Sequence, residues 1–222
     1  MHMERKNTGD LLILNATMVL PDQTVLGDLR VEKGTITKIA INGGMEPKED
    51  ERVIDASGLY LLPGIIDPQV HFREPGQPEK EDLGSGSAAA VSGGVTSFLD
   101  MPNNKPAIVD MEGMQMKLDS AAATCVSNYG FFIGATPHNL EQLQEVVGTP
   151  FAPKAIPGIC GTKIFMGSST GTLLVNEHEA LDTIFSGIGG LIAVHAEDEA
   201  RLNERYPSFK DRTDMAAHAE WR

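Results

Sequence analysis

Polar or small residues recur along this chain at intervals of about thirty residues, each at the end of an apolar, strand-like run. The intervals of 32, 31, 29 and 32 residues separate His71, Asn103, Gly134, Lys163 and His195. One strand, one helix and their loops together take about thirty residues. Repeated strand and helix units predict a parallel sheet with right-handed crossovers. Polar groups at the carboxyl ends of such strands indicate the active-site edge of a (β/α)8 barrel.

The runs around these positions alternate between strand-like and helix-like patterns. The strand-like runs are GIIDPQV, VTSFLDM, NYGFFIGA, GTKIFM and LIAVHAE. The helix-like stretches between them are KEDLGSGSAAAVSGG, MEGMQMKLDSAAAT, NLEQLQEVV and NEHEALDTIFSGI. A closed barrel has eight strands and typically takes about 250 residues by itself. Residues 63–222 are therefore predicted to form the first five βα units of an incomplete TIM barrel, in the α/β fold class.

The first part of the chain has a different texture. Short β-like runs extend from Leu11 to about Leu62, separated by turn residues such as Pro21-Asp22. Residues 1–62 are therefore predicted to form a small antiparallel β unit that precedes the barrel.

Charge and composition exclude several classes of partner. The 222 residues include 31 acidic and 18 basic side chains, with a formal net charge of −13. Such a charge repels a phosphate backbone and argues against a nucleic-acid partner. The two cysteines, Cys125 and Cys160, match neither a disulfide framework nor a zinc motif. No apolar run approaches the roughly 18 residues of a membrane span or resembles a signal peptide, so we expect a cytoplasmic protein without a membrane partner.

Four residues at the predicted strand ends are candidates for a functional site. Gln69 and His71 are two apart, so on a regular strand they face the same side and can serve one metal ion. A lone histidine is more often a core residue, but His195 ends another apolar strand at the same predicted edge. Lys163 is flanked by apolar residues. Either its amine reaches solvent at the rim, or burial lowers its pKa and leaves a neutral, nucleophilic amine.

Two other motifs match known patterns only in part. GSSTG, residues 167–171, matches G-x-S-x-G with Ser169 as nucleophile. A nucleophile elbow needs a helix directly after the serine, whereas the following residues 172–175 have an extended pattern. GSGSAA, residues 84–89, resembles a dinucleotide-binding loop but follows a loop rich in Pro and Glu instead of a strand. Neither motif therefore predicts its usual function here.

Four longer motifs together resemble a known family. They are DPQVHFREPG, MPNNKPA, GTKIFMGSSTG and AVHAEDEA. In this order and at these intervals they resemble the dihydroorotases of the amidohydrolase superfamily, of the multi-domain class I type. Hydantoinases and allantoinases share the barrel and the lysine, but the FREPG and PNN pair is more similar to dihydroorotases. The resemblance implies a β-sandwich unit before a metal-dependent barrel, with this chain as an N-terminal portion.

The resemblance also implies roles for individual residues. His71 and His195 would be metal ligands, and Lys163 would be carboxylated and would bridge two zinc ions. Arg73 and Asn103 would bind the carboxylate of the substrate. This agrees with chemistry, because a guanidinium offers two parallel donors to a carboxylate.

The chain departs from the family pattern in two respects. The first histidine of the family's H-x-H motif is replaced by Gln69. Zinc favours imidazole, thiolate and carboxylate, so we expect one zinc site to be weakened, with one or two zinc ions per intact chain and Gln69 as a further candidate ligand. The family's later histidine and aspartate have no counterpart in this sequence, so this chain alone is predicted to be inactive.

The resemblance predicts the function of the intact protein. It implies zinc-dependent, reversible hydrolysis of dihydroorotate to N-carbamoyl-aspartate, a step of pyrimidine biosynthesis. The predicted protein partners are further copies of the chain and a transcarbamoylase. Two alternatives stay open: an inactive, dihydroorotase-like structural subunit, and a cyclic amidase of the hydantoinase or allantoinase type.

Overall fold

The computed structural model of the chain describes residues 9–167 and 171–222. The chain divides into two compact units, one up to Pro63 and the other covering Gly64–Arg222. No helix within the described residues is long and apolar enough to cross a membrane.

The first unit contains one five-stranded sheet. Its strands are β1 (Leu11–Val19), β2 (Thr24–Glu32), β3 (Thr35–Ile41), β4 (Arg52–Asp55) and β5 (Tyr60–Leu61). Strand β2 pairs antiparallel with β1 and β3, as predicted, but β4 and β5 both pair parallel with β1. The prediction of an antiparallel unit is therefore wrong for these two strands. The long connection after β3 permits the parallel pairing, since only tight hairpin turns require antiparallel neighbours.

An ion pair is buried within this first unit. Arg30 Nε lies 2.7 Å from Glu51 Oε1, and their side chains are 9% and 2% exposed. Arg30 also donates to the backbone oxygen of Glu46 at 2.6 Å. The pair therefore attaches the connection before β4 to strand β2.

The second unit contains a parallel sheet whose strands follow chain order, β12-β11-β8-β7-β6. These strands are β6 (Ile65–Val70), β7 (Val95–Asp100), β8 (Asn128–Gly134), β11 (Ile159–Phe165) and β12 (Ile192–His195). Strands β9 (Gly148–Thr149) and β10 (Ala152–Pro153) form a separate short hairpin. Parallel strands in chain order are the arrangement of a (β/α)8 barrel, and the five predicted strands are confirmed.

Helices lie between the strands of the parallel sheet and after the last one. They are α1 (Leu83–Ser92), α2 (Met111–Thr124), α3 (Leu140–Val147), α4 (His178–Gly187), α5 (Glu199–Phe209) and α6 (Met215–Trp221). The first four occupy the four stretches that the sequence predicts as helical. Three of the helices that follow strands begin at an aspartate, whose carboxylate accepts a backbone N–H of the first turn: Asp82, Asp110 and Asp198. Such caps satisfy donors that have no partner within the helix.

Burial differs between the centre and the edges of this sheet. In β8 and β11 the last five residues are all buried, whereas β6 and β12 have no fully buried residue. Central strands of a parallel sheet have both faces covered, and here they pack against helices through Phe98, Phe131, Ile133, Ile164, Met114 and Leu143. The core therefore lies around β7, β8 and β11.

The motifs GSSTG and GSGSAA, which match known patterns only in part, lie in different surroundings. Ser169 lies outside the described residues. Gly171–Leu173 forms a turn of 3-10 helix, and Leu174 then makes an isolated bridge with Phe165, so the segment is not extended throughout as predicted. Residues 84–89 lie inside α1, and a Cβ at Gly86 would lie 2.8 Å from the Phe72 ring. Gly86 therefore allows α1 to pack closely against Phe72.

Candidate active site

The ends of β6 and β7 bring His71 and Asn103 together. The strands are paired up to Val70 and Asp100, and the two side chains follow in the next loops. His71 Nδ1 and Asn103 Oδ1 are 2.7 Å apart. With the amide oxygen facing the ring, Nδ1 donates the proton and Nε2 keeps its lone pair. This is the form of imidazole that binds a metal ion, with its other nitrogen held by a hydrogen bond.

Arg73 lies two residues after His71 in a loop with a fixed backbone. Its backbone N–H donates to the Glu81 oxygen at 3.0 Å, and its own oxygen accepts from Gln77 N at 2.9 Å. Within the described residues its guanidinium makes no hydrogen bond or ion pair. Its donors are therefore available to an anionic ligand.

The loop that carries Arg73 lies against the loop that carries Asn103. Lys105 N donates to the Pro75 oxygen at 3.2 Å. Gly76 has a positive φ of 103°, and a Cβ there would collide with the Lys105 oxygen. Only glycine permits both the left-handed backbone and this close approach, which explains the glycine of FREPG.

Gln69 is exposed near the end of β6. Its backbone N–H donates to Asp67 Oδ1 at 3.0 Å. The pairing of β6 with β7 shifts register between Asp67 and Val70, around Pro68, which has no N–H to donate to the ladder. The sequence argument that places Gln69 and His71 on one face assumed an unbroken alternation, so the spacing alone does not establish a shared site.

Lys163 is buried in the middle of the sheet. It lies on β11, opposite Gly134 on β8 and Ala193 on β12, and it is 2% exposed. Its Nζ lies 5.1 Å from the centre of the Phe165 ring, and no carboxylate in the described part of the chain forms an ion pair with it. Burial lowers the pKa of this amine. The amine is therefore buried and does not reach solvent at the rim.

His195 ends β12, at the edge of the sheet. It pairs with Phe165 across the sheet, and the two rings stack with centroids 6.4 Å apart. Its Nε2 lies 2.8 Å from Glu197 Oε2, and the histidine side chain is 41% exposed. Arg222 contacts the other carboxylate oxygen of Glu197. The sequence analysis did not single out Glu197.

Sequence reasoning also missed a buried polar network behind His71 and Arg73. Lys117 on α2 pairs with Asp100 at the end of β7 and donates to Asn104. A signal was present, since Met114, Lys117 and Ala121 recur at helical spacing and are all buried. A lysine on the apolar face of a helix predicts a buried partner.

The donors present fit zinc chemically but do not complete a site. Imidazoles and carboxylates are its preferred ligands besides thiolates, and His71 and His195 supply two imidazoles. Three strands of the sheet lie between the strands that carry them. Across residues 9–167 and 171–222, no three His, Cys, Asp or Glu side chains come together as a metal site.

Comparisons with known proteins place the chain in a family. The model of the amidohydrolase family matches residues 60–185, more than half of the chain. The chain belongs to the amidohydrolase family. A dihydroorotase of Methanosarcina acetivorans is 36% identical over 219 residues, which cover 96% of this chain and 44% of that protein. An allantoinase of Desulfitobacterium hafniense is 36% identical over 157 residues, 70% of this chain and 32% of that protein.

Solved structures of amidohydrolases share the fold. An L-hydantoinase (dihydropyrimidinase) from Arthrobacter aurescens superposes with a TM-score of 0.80 at 25% identity, covering 96% of this chain and 47% of that one. This chain spans about half the length of the curated relatives it matches. The predicted dihydroorotase-like amidohydrolase and the predicted partial α/β barrel are both confirmed.

Proposed function

We propose that the protein carrying this chain is a dihydroorotase, which hydrolyses the ring amide of dihydroorotate reversibly to N-carbamoyl-aspartate. One observation carries the choice among cyclic amides. The guanidinium of Arg73 is without a partner among the described residues, beside a loop that presents Asn103. Dihydroorotate has a carboxylate on its ring, whereas hydantoin and allantoin have none. A buried or half-buried guanidinium is best matched by a carboxylate.

The residues at the joined ends of β6 and β7 have complementary roles in this proposal. Arg73 binds the carboxylate with two parallel hydrogen bonds. Asn103, whose amide oxygen accepts from His71, turns its Nδ2 donors towards the same carboxylate. Together they hold the ring amide in one orientation, which lowers the entropic part of the activation barrier for hydrolysis.

His71, His195 and Lys163 are the residues that would hold zinc. When bound, zinc supplies polarisation of the ring carbonyl and a lowered pKa of water. Lys163 contributes its buried amine, whose pKa is lowered by that burial. Addition of carbon dioxide to this amine forms a carbamate and releases one proton, and the resulting anion is a suitable metal ligand. We therefore propose that Lys163 is carboxylated in the intact protein.

Substrate preference tests the proposed function. We expect the full natural protein to turn over dihydroorotate in preference to hydantoin and allantoin. Arg73→Met should raise KM for dihydroorotate at least about tenfold, because a charge-assisted hydrogen bond contributes about 1.5–3 kcal/mol. Lys80→Met, an exposed change in the same loop, is the matched control and should leave KM unchanged. A preference for hydantoin or allantoin, or an unchanged KM in Arg73→Met, would contradict the proposal.

Gln69 favours a second candidate, an inactive structural subunit. An exposed amide in place of a histidine weakens one zinc site. If the protein is an enzyme, it should retain close to one tightly bound zinc per chain, and Gln69→His should raise the content towards two. No zinc in either protein after dialysis would support the structural subunit. The cytoplasmic location, self-association and a transcarbamoylase partner stay predictions.

A further inference from the structure

Lys117 is a buried charge that the proposed reaction does not use. Its Nζ lies 2.6 Å from Asp100 Oδ2, and the two side chains are 1% and 0% exposed. Burial lowers the pKa of Lys117 and raises that of Asp100, while each charge opposes the shift of the other. Apolar residues of similar volume often replace a buried ion pair without loss of stability. Stability alone therefore gives no reason for this pair.

The pair contacts the two loops that follow β6 and β7. Asp100 Oδ1 accepts from the backbone N–H of Phe72 at 3.0 Å. Lys117 Nζ donates to Asn104 Oδ1 at 2.8 Å. Asp100 Oδ2 forms the close ion pair with Lys117. The two charges thus hold one group on each loop.

Asn104 transmits this hold to the backbone around Arg73. Its Nδ2 donates to the oxygen of Phe72 at 3.1 Å and to the oxygen of Glu74 at 2.9 Å. These are the residues directly before and after Arg73. The hydrogen bond from Lys117 to Oδ1 fixes which way the Asn104 amide faces, because only Nδ2 can donate to the two carbonyls.

Glu74 connects the same loop to two helices. Its Oε2 accepts from Leu83 N, at the start of α1, at 2.9 Å. Its Oε1 accepts from the Ser120 hydroxyl on α2. The loop is therefore held on the side of the helices as well as on the side of β7.

We propose that Lys117 is a positioning residue, which acts through Asp100 and Asn104 to aim the Arg73 guanidinium at the carboxylate of the substrate. The inference rests on the proposed function. It adds a role for a residue that lies on a helix and does not touch the substrate. Without the Lys117 amine, Asn104 Oδ1 loses its donor, and the amide is free to rotate away from the carbonyls that flank Arg73.

Two variants separate positioning from folding. Lys117→Met removes the amine and leaves Asp100 without its counter-ion. The double variant Asp100→Asn with Lys117→Met removes both charges, so its stability should be closer to that of the parent, but it also lacks the donor to Asn104. Arg30→Met breaks the buried pair of the first unit and is the matched control. It should lower stability without any effect on Arg73.

Kinetics of the full natural protein give the first readout. We expect the double variant to raise KM for dihydroorotate about tenfold, with a smaller change in kcat. The carboxylate lies away from the reacting amide, so Arg73 should bind it equally well in the ground state and in the transition state. In an Arg73→Met background, the same double change should alter KM less than about twofold. Equal tenfold effects in both backgrounds would overturn the proposal, since they would show that Lys117 does not act through Arg73.

Amide hydrogen exchange gives a readout that needs no activity. The double variant should exchange the amides of residues 71–77 at least about tenfold faster than the parent, whereas Arg30→Met should not. Unchanged protection of this loop would overturn the proposal whatever the protein catalyses. A parent that turns over no cyclic amide, with loop protection lost in the double variant, would refute the proposed function while supporting the hold of Lys117 on the loop.

Discussion

The two ends of the parallel sheet hold their histidines in different ways. His71, after β6, is half-buried and contacts Asn103 on the neighbouring loop, 32 residues away in the chain. His195, at the end of β12, is 41% exposed and contacts Glu197, only two residues away. The hydrogen-bonding partner of the first histidine therefore comes from a distant part of the chain, and that of the second from its own segment.

The difference extends to the residues behind each histidine. At the β6 end, Asp100 and Asn104 bind the backbone of the loop that follows β6. Glu74, within this loop, binds the start of α1. At the β12 end, the acidic partner of the histidine contacts Arg222 near the surface. Buried, networked polar groups lose much more when one partner is removed than exposed pairs do. Matched substitutions at the two ends should therefore have unequal effects.

The largest expected effect is that of Asp100→Asn. This change keeps an acceptor for Phe72 N but leaves the Lys117 ammonium buried without a counter-ion. We expect the free energy of unfolding to fall by about 3–5 kcal/mol, measured by urea denaturation at pH 7. The loss should shrink as the pH rises, because without Asp100 the pKa of Lys117 falls further and its amine becomes neutral at a lower pH than in the parent. The unfolded state then binds more protons than a native state with a neutral amine, so native stability rises with pH.

A small effect of Asp100→Asn would contradict the buried network. A loss below about 1 kcal/mol at pH 7 would show that Lys117 reaches solvent, as exposed pairs contribute no more than this. Asp119→Asn, on the exposed side of α2, is the control. In the part of the chain that the structure describes, the Asp119 carboxylate contacts only Gln115, one helical turn away. It should change stability by less than about 0.5 kcal/mol.

The sequence was sufficient for the repeating part of the fold. The apolar runs VTSFLDM, GTKIFM and LIAVHAE predict β7, β11 and β12, because strand and helix periods differ and each unit has similar length. The prediction that β4 and β5 pair antiparallel was wrong, since the direction of a strand after a long connection is not encoded in its own sequence pattern. Parallel and antiparallel strands have similar local sequences when one face is exposed.

The sequence identified the positions at strand ends but not what holds them. The hydrogen bond between His71 and Asn103 was not predicted, and burial of Lys163 was one of two alternatives that the sequence left open. The link from Lys117 to Asn104 could not be predicted, because it depends on how α2 packs against β7 across residues that are not neighbours in sequence. A short-range irregularity around Pro68 likewise altered the expected relation of Gln69 to His71.

A medium effect is expected from Gly86→Ala, which tests the packing of α1 at the β6 end. The new Cβ would lie 2.8 Å from the Phe72 ring, so that ring has to move. Overpacking costs about 1–3 kcal/mol, and the better helix propensity of alanine offsets about 1 kcal/mol of it. We expect a net loss of up to about 2 kcal/mol in the free energy of unfolding. Faster amide exchange at Phe72 should accompany this loss.

Gly84→Ala in the same helix is the matched control for this change. Its Cβ would lie 3.3 Å from Asp82 Oδ1 and 3.5 Å from Thr124, so there is nearly room for it. Stability should stay equal or rise by about 0.5 kcal/mol. If both alanine variants have the same effect, the close contact of α1 with Phe72 is not what limits the packing here.

The smallest expected effect is that of Glu197→Gln at the β12 end. The substitution keeps the shape of the side chain and removes the charge that faces His195 and Arg222. Because the histidine is 41% exposed and the glutamate 23% exposed, water screens this pair, and the free energy of unfolding should change by less than about 1 kcal/mol. Raising the salt concentration should reduce the difference between variant and parent further. A loss as large as that of Asp100→Asn would show that His195 is held by a buried network like that of His71. The contrast between the two ends of the sheet would then be wrong, and Glu197 would have to be placed among the residues that fix the site.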